Sequence, residues 1–377
     1  MDSMTKLYWF LGILFIAWLV VLQLERMGKL KAERHAIFLL MRTERGKEFI
    51  SSISGFRFWP AIATFGVVIA LLGMVLVIFS LGYAIYSTYF LKAHIEGAKL
   101  VIPGVTIPFW YGIIGLVTVL VIHEFSHGII ARSENVPIKN LGAVFLTIIP
   151  IGAFVEPDED ELKEKSGIAK LRVYSAGSFG NIVLAMGALI AWLSFSAQVF
   201  DPNSIQIVEV VKGSPADGIL DEGMIIREIN GQTISSRNDF LEATRKIEAG
   251  EEVSIKTNKG SYLIEAMSRE RQPTRGYISI RVHNAAKAGI SNYVGISLLL
   301  FIEGSLQWIF FLNQGIGLIN LAPLHFGVAA TDGHHILKEI ISKFIGEANA
   351  EKITFFISTT TLIALVFTLI SPSPSIA

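Results

Sequence analysis

The sequence predicts a polytopic α-helical membrane protein of about six transmembrane helices with one small α+β domain inserted among them. Three observations lead there. Hydrophobic residues make up 52% of the chain and charged residues only 17%, against about 25% charged in ordinary soluble domains. Apolar windows near the ~20 residues needed to cross a bilayer core recur along it. One interval of about 85 residues carries strand and turn patterning instead.

The windows run from Leu7 to Leu24, Trp59 to Tyr89, Ile107 to Ala131, Val173 to Val199, Ile290 to Leu321 and Ile353 to Ile370. The first lacks the basic n-region and small-residue cleavage site of a signal peptide and is read as a retained helix. Basic loops stay cytoplasmic, and Arg26, Lys29, Lys31, Arg34, Arg42, Arg45, Lys47 and Arg57 follow the first window, whereas only Lys92 and Lys99 follow the second. The N-terminus is therefore expected outside. Alternation places residues 132–172 inside, the interval near 200–288 outside, and the loop bearing Lys338, Lys343 and Lys352 inside again.

Leu141 to Val155 is apolar but short, and Gly142, Pro150 and Gly152 interrupt it. Such a segment reads as a re-entrant or hairpin element beside a cavity, because non-helical backbone at membrane depth must be covered by protein or line water. The acidic run Asp158 to Glu161 reads as a solvated loop with a helix start at Glu161.

From Asp201 to Asn284, runs rich in β-branched residues at Ile205–Val208, Glu252–Ile255, Tyr262–Ile264 and Tyr277–Ile280 alternate with Gly and Pro turns. Those are strands. Between them Phe240, Leu241, Ala243 and Ile247 form a helix-spaced stripe starting at Asn238 or Asp239. Four regions follow: an N-terminal helix and basic loop (1–58), a membrane region (59–199), the inserted domain (200–285) and a C-terminal membrane region (286–377).

Lys+Arg and Asp+Glu balance at 32 each, so no overall field favours nucleic acid, and the absence of cysteine removes disulfides and thiolate metal sites. A transition metal has to be held by His and carboxylate. The run His123-Glu124-Phe125-Ser126-His127 sits inside an apolar window. Histidines at i and i+4 project from one helical face, close enough to share an ion, and Glu124 beside them can act as base on a metal-activated water. A purely structural use of three ionisable groups on one membrane helix would cost several kcal/mol.

Catalytic zinc normally takes three protein ligands. Asp332, after the fifth window and at the expected depth of His127, is the best third, with His325, His334 and His335 as competitors. Asn181 and Asn320 are amides in apolar segments, read either as donors to a reaction oxyanion or as helix-to-helix hydrogen bonds beside Gly177 and Gly180.

These residues resemble the site-2 protease family of intramembrane zinc metalloproteases: His-Glu-x-x-His in a membrane helix, Gly177 to Asn181, and Asn320, Pro323, Asp332 and Gly333. The resemblance covers about residues 107–345. It implies one zinc per chain on His123, His127 and Asp332, Glu124 as catalytic base, and Asn181 and Asn320 as substrate or intermediate contacts. It further implies membrane-protein substrates cut in or near the lipid bilayer, after an upstream protease has removed their outer domains. The gap from Pro323 to Asp332 is longer than the family usually has.

The inserted domain resembles a circularly permuted bacterial PDZ domain in Gly213-Ser214-Pro215-Ala216, Gly223-Met224-Ile225-Ile226 and Ile229-Asn230-Gly231. That likeness implies peptide binding by Gly276, Tyr277, Ile278, Ser279 and Ile280, or a size filter with an empty groove. Two other functions compete with proteolysis. A non-catalytic adaptor would bind protein tails around a structural metal, but a structural site needs no Glu124. An ion transporter would use the His and Asp residues as its pathway, which one His pair and one distant Asp fit poorly.

Overall fold

In hydrocarbon a backbone must satisfy its own hydrogen bonds, and the apolar windows accordingly fold as helices. The computed structural model describes residues 3–28, 33–35, 38–43, 46–91, 100–146, 149–269, 272–291, 294–327 and 329–370. Lys29, Lys31, Arg45, Lys92 and Lys99, used above for orientation, lie outside them. Two compact units are present, residues 1–188 with 308–373, and residues 189–307.

The first unit begins with α1 (Ser3–Arg26), at the place of the first window, followed by the short strands β1 (Glu33–His35) and β2 (Phe38–Thr43) and by α2 (Lys47–Ser54). Two long helices, α3 (Trp59–Tyr89) and α4 (Phe109–Ser133), come next. The interrupted apolar segment is a hairpin of β3 (Ile138–Leu146) and β4 (Ile149–Pro157), and it joins the earlier strands in a sheet of order β1-β2-β3-β4. This hairpin packs on α4 through Leu141 and Val155, with Ile50 of α2 in the same cluster and Phe125 and Ile129 of α4 against them. The acidic run forms α5 (Glu159–Glu164), which starts two residues earlier than the sequence suggests because the Asp158 side chain accepts from the backbone N–H groups of Asp160 and Glu161. Helix α6 (Gly167–Val199) follows, held at its start by Arg172, which donates to Glu134 at 2.8 Å and Thr64 at 2.9 Å.

The second unit contains β5 (Phe200–Val210), β6 (Ile225–Ile229), β7 (Gln232–Thr233), α7 (Arg237–Arg245), β8 (Glu252–Thr257), β9 (Ser261–Glu265), β10 (Met267–Arg269), β11 (Gln272–Tyr277), β12 (Ile280–Ala286) and α8 (Ala288–Ser291). Its main sheet has the order β12-β5-β6-β8-β9, with β7 paired to β6. Burial alternates residue by residue along β8, the two-residue period of a half-buried strand. Ile205, Ile207, Ile226, Ile229, Val253, Ile255 and Ile264 supply the core. Helix α7 starts behind Ser236, whose hydroxyl accepts from the Asp239 N–H at 3.2 Å; Asp239 in turn accepts from Ser235. Residues 277–280, expected as one strand, instead divide β11 from β12, because Ser279 adopts φ 56° and turns the chain.

Helix α9 (Ile296–Leu321) starts in this second unit. There His283 of β12 hydrogen-bonds Glu303 at 2.9 Å, and Ser196 donates to the other carboxylate oxygen at 2.5 Å. Burial works against a charged ring at His283, but the hydrogen bond to Glu303 and the field of that carboxylate outweigh it, so the His283 pKa is raised. A raised folded-state value adds stability in full below the unfolded value of about 6.5 and loses it as pH climbs through the folded value. Protection of β12 against hydrogen exchange, corrected for the intrinsic pH dependence of amide exchange, should therefore fall as the pH rises above about 6.5, and His283→Gln should flatten that dependence.

The C-terminal part of the first unit holds the end of α9, then α10 (Asp332–Ile345) and α11 (Glu347–Ile370). Among the described residues, five helices are long and apolar enough to cross a membrane: α3, α4, α6, α9 and most of α11. Small residues let them close up. A side chain at Gly73 would meet Leu321, and one at Gly115 would meet Leu312 and the Trp308 carbonyl. Asn313, fully buried, donates across to Thr118 at 2.9 Å.

Candidate metal centre

The helical period places His123 and His127 one turn apart on the same side of α4, and their Nε2 atoms lie 3.2 Å from each other. Asp332, the first residue of α10, brings its Oδ1 to 3.3 Å from His127 Nε2 and its Oδ2 to 3.7 Å from His123 Nε2. Among the described residues these three are the group whose donor atoms converge tightly enough to hold one metal ion. Ligands about 2.0–2.1 Å from a tetrahedral zinc stand roughly 3.4 Å apart, so the observed edges fit that ion.

Hydrogen bonds behind the rings decide which nitrogen is free. His127 Nδ1–H donates to the Val173 carbonyl at 2.8 Å, leaving the Nε2 lone pair for the metal. His123 Nδ1 lies 3.2 Å from the Asn181 amide nitrogen, while the buried Asn181 Oδ1 has no partner. Turning that amide over lets His123 Nδ1–H donate to Oδ1 and satisfies both groups. Both Nε2 lone pairs then face each other and a carboxylate, an arrangement that calls for a cation. Asn181 thus lies within hydrogen-bonding reach of the His123 ring.

Two residues that sequence reasoning missed complete the arrangement. Ser178 Oγ–H donates to Asp332 Oδ2 at 2.6 Å, and the Val155 N–H donates to Glu124 Oε2 at 2.8 Å. Ser178 follows Gly177 and precedes Asn181 by three, so its position was readable from the motif; the partner of Glu124 was not, because it comes from β4, the edge strand of the sheet. Ser178→Ala should leave the fold intact and weaken zinc binding about tenfold, measured by competition with a chelator.

The loop before Asp332 is closed by Thr331, whose hydroxyl donates to the Ala322 carbonyl at 2.5 Å and accepts from the Leu324 N–H at 3.0 Å. A side chain at Gly333 would strike the Leu321 carbonyl, so glycine is what lets α10 start against the end of α9. These contacts accommodate the long interval from Pro323 to Asp332. The competing histidines go elsewhere: His334 Nδ1 pairs with Ser358 at 2.9 Å, His335 stacks on Tyr174 with ring centres 5.2 Å apart, and the His325 ring lies 5.1 Å from that of His334. Asn320 is half-buried on α9 and, among the described residues, makes no hydrogen bond to the cluster.

In the second unit, Gly276 and Tyr277 end β11, Ile278 and Ser279 form the turn, and Ile280 opens β12. Gly276 is clamped against the Glu248 carbonyl and the Ile247 side chain, and its N–H donates to the Ile247 carbonyl at 2.9 Å. The Val211 N–H donates to the Ser279 carbonyl at 3.2 Å, and β12 is an edge strand.

The profile of peptidase family M50 matches residues 111–368, which include both histidines, Glu124, Ser178, Asn181 and Asp332. The chain belongs to peptidase family M50. An uncharacterised protein of Methanocaldococcus jannaschii is 30% identical over 93% of this chain and 92% of its own length. A membrane-bound transcription factor site-2 protease homologue of Arabidopsis thaliana is 28% identical over 44% of this chain and 32% of its own length. A putative zinc metalloprotease of Clostridium perfringens is 27% identical over 34% of this chain and 45% of its own. Among solved structures, the PDZ domain of an SdrC-like protein from Listeria innocua is 28% identical over 22% of this chain and 96% of its own, with a TM-score of 0.20. One of these relatives is named a putative zinc metalloprotease, and the His123, His127 and Asp332 group at this centre could hold a metal ion. The spans of α4 and α6 that carry its residues make this an integral membrane member of the family.

Proposed function

We propose that the chain is an intramembrane endopeptidase that hydrolyses a peptide bond of membrane-spanning protein substrates within or near the bilayer. The observation that carries this reading is the convergence of His123, His127 and Asp332 beside Glu124, on a helix long and apolar enough to cross a membrane. Zinc held there supplies Lewis acidity and a water made acidic near neutral pH. Glu124 is the carboxylate placed to accept a proton from an attacking water and to give it to the departing amine. The Val155 N–H fixes the carboxylate through Oε2 and leaves Oε1 for proton transfer. Asn181 keeps His123 in the ligating tautomer, and Ser178 holds the Asp332 carboxylate in place.

The loop charges support an orientation with the N-terminus and the inserted domain outside and the zinc centre toward the cytoplasmic side. Residues 276–280 lead into β12, an edge strand of the main sheet, and an edge strand is suited to adding an extended peptide strand. Upstream trimming of the substrate by another protease fits a domain of that kind on the outer side.

The test is reconstitution. Purified protein in liposomes should cleave a co-reconstituted single-span substrate, stop when a chelator strips the metal, and resume when zinc is restored. Asp332→Ala should lose both zinc and cleavage. Full cleavage by the stripped protein would overturn the reading.

A further inference from the structure

We propose that the first unit binds one anionic phospholipid, with its phosphate at Arg57 and Arg132 and an acyl chain in the groove between α3, α4 and α6. Two adjoining cavities carry the proposal. The polar one, about 380 Å³, is lined by Ser51, Ser54, Arg57, Arg132, Ser133 and Asn135, with no carboxylate among its lining residues. Glu134, the acid next to Arg132, is engaged by Arg172. Arg57 lies over the Phe58 ring at 4.7 Å, and among the described residues neither Arg57 nor Arg132 is paired with a carboxylate. The pocket therefore presents two guanidinium groups and an amide to an anion, with a combined charge of about +2.

The second cavity, about 340 Å³, is almost wholly apolar; Trp59, Ile62, Ile122, Ile129, Phe179 and Val183 form most of its wall. Its volume falls at the lower end of the range for small-molecule clefts, about 300–1,000 Å³. The linings of the two cavities are neighbours along the chain at one end of two spans. Pro60 in the polar pocket follows Trp59 in the groove, and Ser133 lies one helical turn beyond Ile129. Trp59 stands at the junction, its Nε1–H donating to the Ile53 carbonyl at 2.8 Å.

A free phosphate would use the first cavity and ignore the second. The pairing of a cationic pocket at the end of two spans with an apolar groove running along those spans matches one amphipathic molecule, a membrane lipid with an anionic headgroup. Groove residues Ser126 and Gly180 pack against each other one residue from His127 and three from Gly177. A bound chain would thus fill the space beside the helix face that carries the zinc ligands.

Native mass spectrometry of the purified full chain tests this, with dioleoyl phosphatidylglycerol, dioleoyl phosphatidylcholine and inorganic phosphate as probes. One phosphatidylglycerol should be retained roughly tenfold more tightly than phosphatidylcholine, and Arg57→Gln with Arg132→Gln should abolish the preference. Val183→Trp, on a wall residue that is 53% exposed, should weaken retention of both lipids. Because the arginine variant is prone to altered folding, a second readout uses the native protein: brominated phosphatidylglycerol should quench Trp59 fluorescence, obtained by difference from Trp59→Phe, more than brominated phosphatidylcholine does. Equal retention of the two lipids by the wild type, equal quenching, or displacement of phosphatidylglycerol by millimolar inorganic phosphate would overturn the proposal.

Discussion

Glu124→Gln should retain its full zinc content and lose cleavage by a factor of about 10²–10⁴, the range that general acid–base catalysis contributes. Glutamine has the same shape and still offers a carbonyl oxygen to the Val155 N–H, so the 2.8 Å bond that anchors the side chain to β4 survives. What disappears is a group able to take a proton and give it back. Zinc should remain, because the ligands are His123, His127 and Asp332 and the supports behind them are Val173, Asn181 and Ser178. The measurement pairs metal content with initial rates in liposomes. A variant with zinc bound and an unchanged rate would remove Glu124 from the mechanism, and one that lost zinc would make it a ligand.

Gly177→Ala should be nearly as damaging by a different route. A β-carbon there would fall on His127 Nε2 and within 2.6 Å of His123 Cε1. Neither ring can swing aside freely, since each is tethered through its other nitrogen. Either α6 separates from α4 or the ligands are displaced, and zinc affinity should fall by roughly 100-fold or more. Gly187→Ala on the same helix is the control: its β-carbon would meet nothing within 4 Å, and a helix gains up to about 1 kcal/mol from the exchange. Normal zinc binding by Gly177→Ala would mean that the close approach of the two helices is not what shapes the site.

The comparison of these two positions shows where sequence reasoning reached and where it stopped. His123, Glu124 and His127 were legible because one helical turn fixes their relation, and Asp332 because it shares their expected depth. The geometry then separates Asp332 from its rivals through contacts that no local pattern encodes, such as Thr331 closing the preceding loop and Ser358 engaging His334. Val155 and Glu124 are 31 residues apart and meet only because the hairpin folds onto α4. In the inserted domain, alternation revealed β8 and β9, yet a β-branched run at 277–280 concealed a turn that depends on one positive φ at Ser279. Local period carries elements; tertiary contact carries the second layer of the site.

The most direct measurement of the central claim is zinc K-edge X-ray absorption on the purified full chain. The account predicts one zinc per chain with about four nitrogen or oxygen neighbours at roughly 2.0–2.1 Å, of which two are imidazoles. Asp332→Ala should lose the ion and with it the zinc absorption signal. A shell with three imidazoles in the wild type, or a spectrum unchanged by Asp332→Ala, would contradict it and move the third ligand to one of the histidines near residue 334.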